Sequence, residues 1–213
     1  MERTGEVLLL LVLMTDFAVL VTDRLSTCIR IMAAQGVLLG LLPFASGAAI
    51  GVHTVVLSLG TIAIKSIVLP RVLSWAIREA EVRRELEPSI GPIGMVVLGL
   101  VAVGVAFGVA TRLPHAGATV LPGLVPVSLA SLMMGFVVLT TRRKALSLVI
   151  GYLMLENGIY VFGLTLAGAI PLLVEMGVLL DVLVGVFIMG LVVFQIHRQL
   201  ETQDSRRLTE LRD

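Results

Sequence analysis

The sequence predicts an all-α integral membrane protein with about seven transmembrane helices, its N-terminus outside and its C-terminus cytoplasmic. Three observations predict it. Of 213 residues, 57% are hydrophobic and only 15% charged, with a mean hydropathy of +1.04, whereas a water-soluble domain carries about 25% charge. Apolar runs long enough to cross a bilayer core as helix, about 20 residues each, recur along the chain. The basic residues, finally, gather on alternate connections, as the positive-inside tendency requires.

The first run, VLLLLVLMTDFAVLVT at roughly residues 6 to 22, is interrupted only by Asp16. A second, residues 27 to 44, follows Asp23 and Arg24; its Gly36 and Gly40 permit close helix approach, and Pro43 marks its end. The third runs from about Ala48 to Leu69 and carries Thr54, Ser58, Thr61 and Lys65 on a single helical face, a polar seam. The stretch from Arg71 to Pro88 then holds four Arg and four Glu. It reads as an amphipathic cytoplasmic connection, with Glu79 and Arg83 at i,i+4 spacing and Trp75 at the interfacial level.

A fourth span, from about Gly91 to Ala110, repeats the small-residue pattern at Gly104 and Gly108. The fifth, about Val120 to Thr141, opens with Pro122 and Pro126, which predicts kinked first turns. The sixth, about Ala145 to Gly168, contains Glu156, and the seventh, about Pro171 to His197, contains Glu175 and Asp181. Residues 1–197 thus form one transmembrane helical domain, and 198–213 a polar cytoplasmic tail. With seven spans, one side of the membrane carries 13 of the 16 basic residues. The other side has Arg3 and Arg112, and Lys65 lies within the membrane. One span more or fewer would destroy that asymmetry.

Composition excludes several function classes. A net charge of +1 without a basic, aromatic-interleaved run leaves no footprint for nucleic acid. One cysteine, Cys28, cannot close an internal disulfide or build a metal cluster by itself. His53, His115 and His197 lack ligand spacing, and no phosphate-binding or dinucleotide fingerprint is present. The expectation is no metal, no cofactor and no redox chemistry on this chain. His53 reads as an interfacial side chain, and Met133, Met134 and the Phe residues as packing or lipid-facing groups.

Five ionisable groups fall inside apolar spans: Asp16, Lys65, Glu156, Glu175 and Asp181. Each costs at least about 2 to 3 kcal/mol near the bilayer centre unless paired or facing a polar cavity, so the expected role is ion or proton movement. Tyr152, Glu156 and Tyr160 form one i,i+4 stripe with Asn157 beside it. Counted from the Ala169-Ile170 turn, Glu156 and Asp181 lie within one helical turn in depth and are expected to face each other. Burial and a neighbouring negative charge both favour the proton-bearing form of a carboxyl group, which is what a relay requires. Glu175 sits near the outer helix end, within reach of water. Asp16 and Lys65 share a cytoplasmic-side depth, and an ion pair between them is expected, unless Lys65 snorkels to the interface. Thr61 and Ser58 support the seam.

The strings GYLMLENGIYVFGL and PLLVEMGVLLDVLVGVFIMG, within Arg142 to His197, resemble the hydrogenase-4 component E family, membrane subunits of formate hydrogenlyase and related group 4 nickel-iron hydrogenases. Lys65 with the Ile67 to Pro70 segment also looks like that family's third helix. The same part, about 142–197, is similar to the K-type subunit of respiratory complex I and to the C-type subunit of cation/proton antiporters, which carry a membrane glutamate on each of two adjacent helices. The K-type pattern places its first glutamate where this chain has Leu153, with Glu156 one turn along; Asp181 matches the second. The resemblance implies a non-redox membrane subunit of an oxidoreductase complex in a bacterial or archaeal cytoplasmic membrane. Its implied role is to contribute carboxylates to proton or sodium translocation. Its implied partners are antiporter-like membrane subunits and hydrogenase or dehydrogenase peripheral subunits. An antiporter subunit or a non-conducting scaffold subunit is the alternative.

Overall fold

An apolar segment in lipid must satisfy every backbone N–H and C=O within itself, and helix is the local solution. A computed structural model of the chain follows that rule and describes residues 2–45, 51–79, 90–113, 121, 123–142, 145–166, 183–186 and 190. The helices are α1 (Glu2–Val21), α2 (Leu25–Ala45), α3 (Val52–Ile62), α4 (Leu69–Glu79), α5 (Pro92–Ala110), α6 (Leu124–Thr141) and α7 (Ala145–Leu166). A π-helical stretch, Ala63–Val68, joins α3 to α4 without a break. Among the described residues six helical runs are long and apolar enough to cross a membrane, and the chain is an all-α integral membrane protein. The seventh expected span falls largely outside the described residues, as does the connection beyond Glu79.

Two boundaries differ from the sequence reading. The third span does not end at Leu69: α3, the π-helical stretch and α4 make one rod, whose apolar run extends over Thr54–Arg78. The first half of the expected surface connection is therefore the rod's end. It is two-sided, with Leu69, Leu73 and Ala76 buried and Arg71, Trp75 and Arg78 exposed. The expected kink at Pro126 has no cause, because α6 begins at Leu124 and Pro126 falls in its first turn, where the N–H has no intrahelical acceptor anyway. Pro43 stands inside α2, which continues to Ala45.

More than half of the apolar stretches of α2, α6 and α7 is buried, against less than a quarter for the α3–α4 rod and α5. The first three are the centre. Helix α2 packs on α1, on α7 and on the rod from α3 through the π-helical stretch to α4, while α6 packs on α1, α5 and most extensively on α7. Lipid supplies no hydrophobic drive to associate, so contact depends on close approach and buried polar bonds. Close approach is visible along α6 and α7, where a Cβ added to Gly135 would sit 2.6 Å from the Leu155 backbone nitrogen, and one on Gly158 2.8 Å from that of Leu132. Gly36 and Gly40 fulfil their expected role: added Cβ atoms would meet Lys65 Cβ at 2.7 Å and collide with Ile62 Cγ1. Gly104 and Gly108 do not, having nothing within 4 Å among the described residues.

The buried apolar side chains form two clusters. One gathers Leu20, Cys28, Met32, Leu73, Val138, Ile150 and Met154, and the other Leu9, Val12, Leu39, Leu42, Val127 and Val161. In α2 the two are separated by buried Gln35 and in α7 by the buried Glu156-Asn157 pair, while buried Asp16 in α1 and Ser131 in α6 lie close to the boundary, within the run of the first cluster. A polar layer thus lies between two apolar seals.

Candidate functional site

The layer is a continuous hydrogen-bonded chain. Lys65 Nζ, carried by the π-helical stretch, donates to Glu156 Oε2 at 2.6 Å and to Asn157 Oδ1 at 2.9 Å. Asn157 Nδ2 donates to Gln35 Oε1 at 2.9 Å, and Gln35 Nε2 to Asp16 Oδ1 at 2.7 Å. Ser131 Oγ closes the far end on Asp16 Oδ2 at 2.5 Å. The direction of the bonds is dictated by chemistry. An ammonium can only donate and a carboxylate can only accept, so both intervening amides must point their carbonyls toward Lys65 and their amino groups toward Asp16. Such a chain runs from cation to anion, each bond polarising the next.

Lys65 is almost fully buried and Asp16, Gln35 and Glu156 completely so. The Lys65 ammonium lies 5.9 Å from the centre of the Tyr160 ring, within the range of a cation–π contact. Ser58 and Thr61, two further members of the expected seam, are buried on the same rod, and their hydroxyls have no hydrogen-bond partner among the described residues. A cavity of about 10 Å³, the room one water needs, touches Lys65 and Asn157 and is otherwise walled by Ile29, Met32, Leu69, Pro70, Leu73 and Leu153.

The geometry corrects one expectation and enlarges another. Asp16 and Lys65 are not a direct ion pair; Glu156 is the lysine's counter-ion, and Asp16 is reached through two amides. The reason is what lies between them: α2 and α7 interpose Gln35 and Asn157. With the rod continuing to Glu79, Lys65 stands about 20 Å from its end, too deep to snorkel. Tyr160 and Asn157 belong to the layer, and Tyr152 lies one turn from Glu156, packed against the first apolar cluster. Glu175 and Asp181, with the expected facing of Glu156 and Asp181, lie outside the described residues.

Gln35 and Ser131 were missed by sequence reasoning, which weighed uncharged polar residues only beside Lys65 and Glu156; a mid-span Gln was the available signal. Arg142 was counted as a loop cation. It is buried instead, its Nη2 donating to the carbonyls of Val19 at 2.8 Å, Thr22 at 3.2 Å and Leu20 at 3.3 Å, where α1 ends. Nη1 approaches Cys28 Sγ at 3.9 Å. A helix end leaves its last carbonyls without partners and carries partial negative charge, so a guanidinium from α6 satisfies both. Among the described residues no cluster of three or more His, Cys, Asp or Glu could hold a metal ion.

The chain is 30% identical over 191 residues to the uncharacterized protein Rv0085 of Mycobacterium tuberculosis, a match that covers 89% of this chain and 87% of that protein. It is 28% identical over 148 residues to hydrogenase-4 component E of Escherichia coli, covering 70% of this chain and 68% of that protein, and matches the same component of Shigella flexneri equally. The likeness to component E therefore extends well beyond the C-terminal strings. No family model and no solved structure matches.

Proposed function

The chain belongs to the same family as the mycobacterial protein Rv0085, and on that premise we propose that it is a membrane subunit of a hydrogenase-like oxidoreductase complex. In this reading its buried layer takes part in proton or sodium translocation. The similarity to hydrogenase-4 component E supports the assembly. The charge content of the layer supports the chemistry, and it is the observation that carries the proposal. Among the described residues two carboxyl groups, Asp16 and Glu156, share one ammonium, Lys65, in a volume bounded by the two apolar clusters. A net charge is costly there, so these three groups are neutral together only when they hold one further cation, a proton or a sodium ion. The two amides do not titrate. They couple the ends electrostatically, so that loading a cation at Asp16 weakens the hold on Lys65 and favours proton exchange between Lys65 and Glu156.

The redox reaction belongs to partner subunits, in line with the complex I-like resemblance of residues 142–197, and a lateral relay would continue into antiporter-like neighbours. The test is a purified complex in sealed vesicles. Asp16→Asn keeps an acceptor for Gln35 and removes the exchangeable charge, so artificial-acceptor redox turnover should persist while ion uptake falls at least tenfold. Undiminished uptake would leave the layer a structural element and the subunit a scaffold.

A further inference from the structure

The outer face of α4 offers a second site, independent of the polar layer. Arg71, Ser74, Trp75 and Arg78 fall at successive helical steps of three, one and three, which stacks both arginines two turns apart on one exposed face. A groove of about 480 Å³ runs along this face, lined by these four residues and, deeper along the rod, by Pro70, Ser66 and an exposed Ile67. Its position relative to the bilayer follows from length. The Thr54–Arg78 run has 25 residues, about 37 Å of helix against a hydrocarbon core of about 30 Å, so its last turns emerge at the headgroup level. Tryptophan favours that level too. The groove is thus cationic and hydrogen-bonding from Arg71 to Arg78 and apolar at Pro70 and Ile67, within about one turn deeper than Arg71, a shape that suits an amphiphile.

We propose that this groove binds an anionic phospholipid, its phosphate held between Arg71 and Arg78 with Ser74 donating, and its acyl chains lying along Pro70 and Ile67. Guanidinium groups offer paired donors that match phosphate oxygens. A free phosphate would use only the polar end and leave the apolar floor without a role, and that floor is why a lipid is the occupant.

Trp75 is the chain's one tryptophan and makes the site observable. The full chain is placed in phosphatidylcholine nanodiscs containing equal small fractions of acyl-brominated phosphatidylglycerol or acyl-brominated phosphatidylcholine, and Trp75 fluorescence is read. The expected result is selective quenching by the anionic lipid, with an apparent affinity advantage of about fivefold for each arginine engaged. The Arg71→Gln/Arg78→Gln double variant should bring the two lipids to equality, while Arg112→Gln, an exposed cation on another helix end, should leave the selectivity intact. Equal quenching of the unaltered chain by both lipids overturns the proposal even if the double variant fails to fold. Loss of the selectivity on adding inorganic phosphate, but not chloride at matched ionic strength, would overturn the lipid assignment in favour of a free anion.

Discussion

At the residue scale the decisive contact is Lys65 with Glu156, at 2.6 Å between nearly inaccessible side chains. Breaking a buried pair from one side strands a charge, at a cost of about 3–5 kcal/mol, whereas removing both partners removes the problem with the interaction. Lys65→Met and Glu156→Gln should therefore each lower thermal stability in detergent strongly, and the double variant should be no worse than the milder single one. Additive losses would contradict direct pairing. The same cycle between Asp16 and Lys65 should give a smaller coupling, because two amides lie between them. Asp16, Lys65 and Glu156 stood out in the sequence, because charge inside an apolar span is conspicuous. Their pairing was not readable there: it depends on which side chains α2 and α7 place between α1 and the third rod.

At the scale of elements, glycine decides which helices touch. Helices α6 and α7 meet where Gly135 faces the Leu155 backbone, a partner that cannot rotate away. Gly135→Ala should therefore destabilise by about 1–3 kcal/mol in a thermal melt. Gly104→Ala, with nothing within 4 Å, should produce no loss and serves as its control. Gly36 has a further consequence, since an added Cβ would press on Lys65 Cβ at 2.7 Å and on the Lys65 carbonyl carbon at 3.0 Å. Gly36→Ala should thus push the π-helical stretch off α2 and depress both stability and ion uptake, although it alters no polar group; retained uptake would show that the layer tolerates the shift. Both small-residue pairs looked equivalent in sequence, yet only Gly36 and Gly40 are contact points among the described residues. Spacing says where helices can approach, and the partner face says whether they do. The π-helical stretch has no sequence signature in Ala63–Val68, an unremarkable apolar run around Lys65.

For the whole molecule, the orientation of the bundle is the property that basic residues and packing constrain together. Thirteen of the 16 Lys and Arg fall on one side if the chain crosses seven times. The fold adds a geometric check on the first part of that count. Arg142, at the end of α6, donates to the carbonyls that end α1, so these two helices finish at the same face. Four crossings follow α1 before α6 ends there only if α2, the rod from α3 to α4, α5 and α6 each span once. That matches the described spans, including the unexpected fusion of the rod with its supposed surface connection. The positive-inside tendency then assigns the face bearing Arg24, Arg78 and Arg142 to the cytoplasm and leaves Arg112 outside. Alkaline phosphatase folds to its active form only outside, so a fusion after Leu113 should be active and fusions after Glu79 or Lys144 inactive. A fusion at the C-terminus should also be inactive if the expected seventh span, outside the described residues, returns the tail to the side of Lys144. Activity there, with the three internal fusions behaving as expected, would remove the seventh crossing and put the polar tail on the outer side.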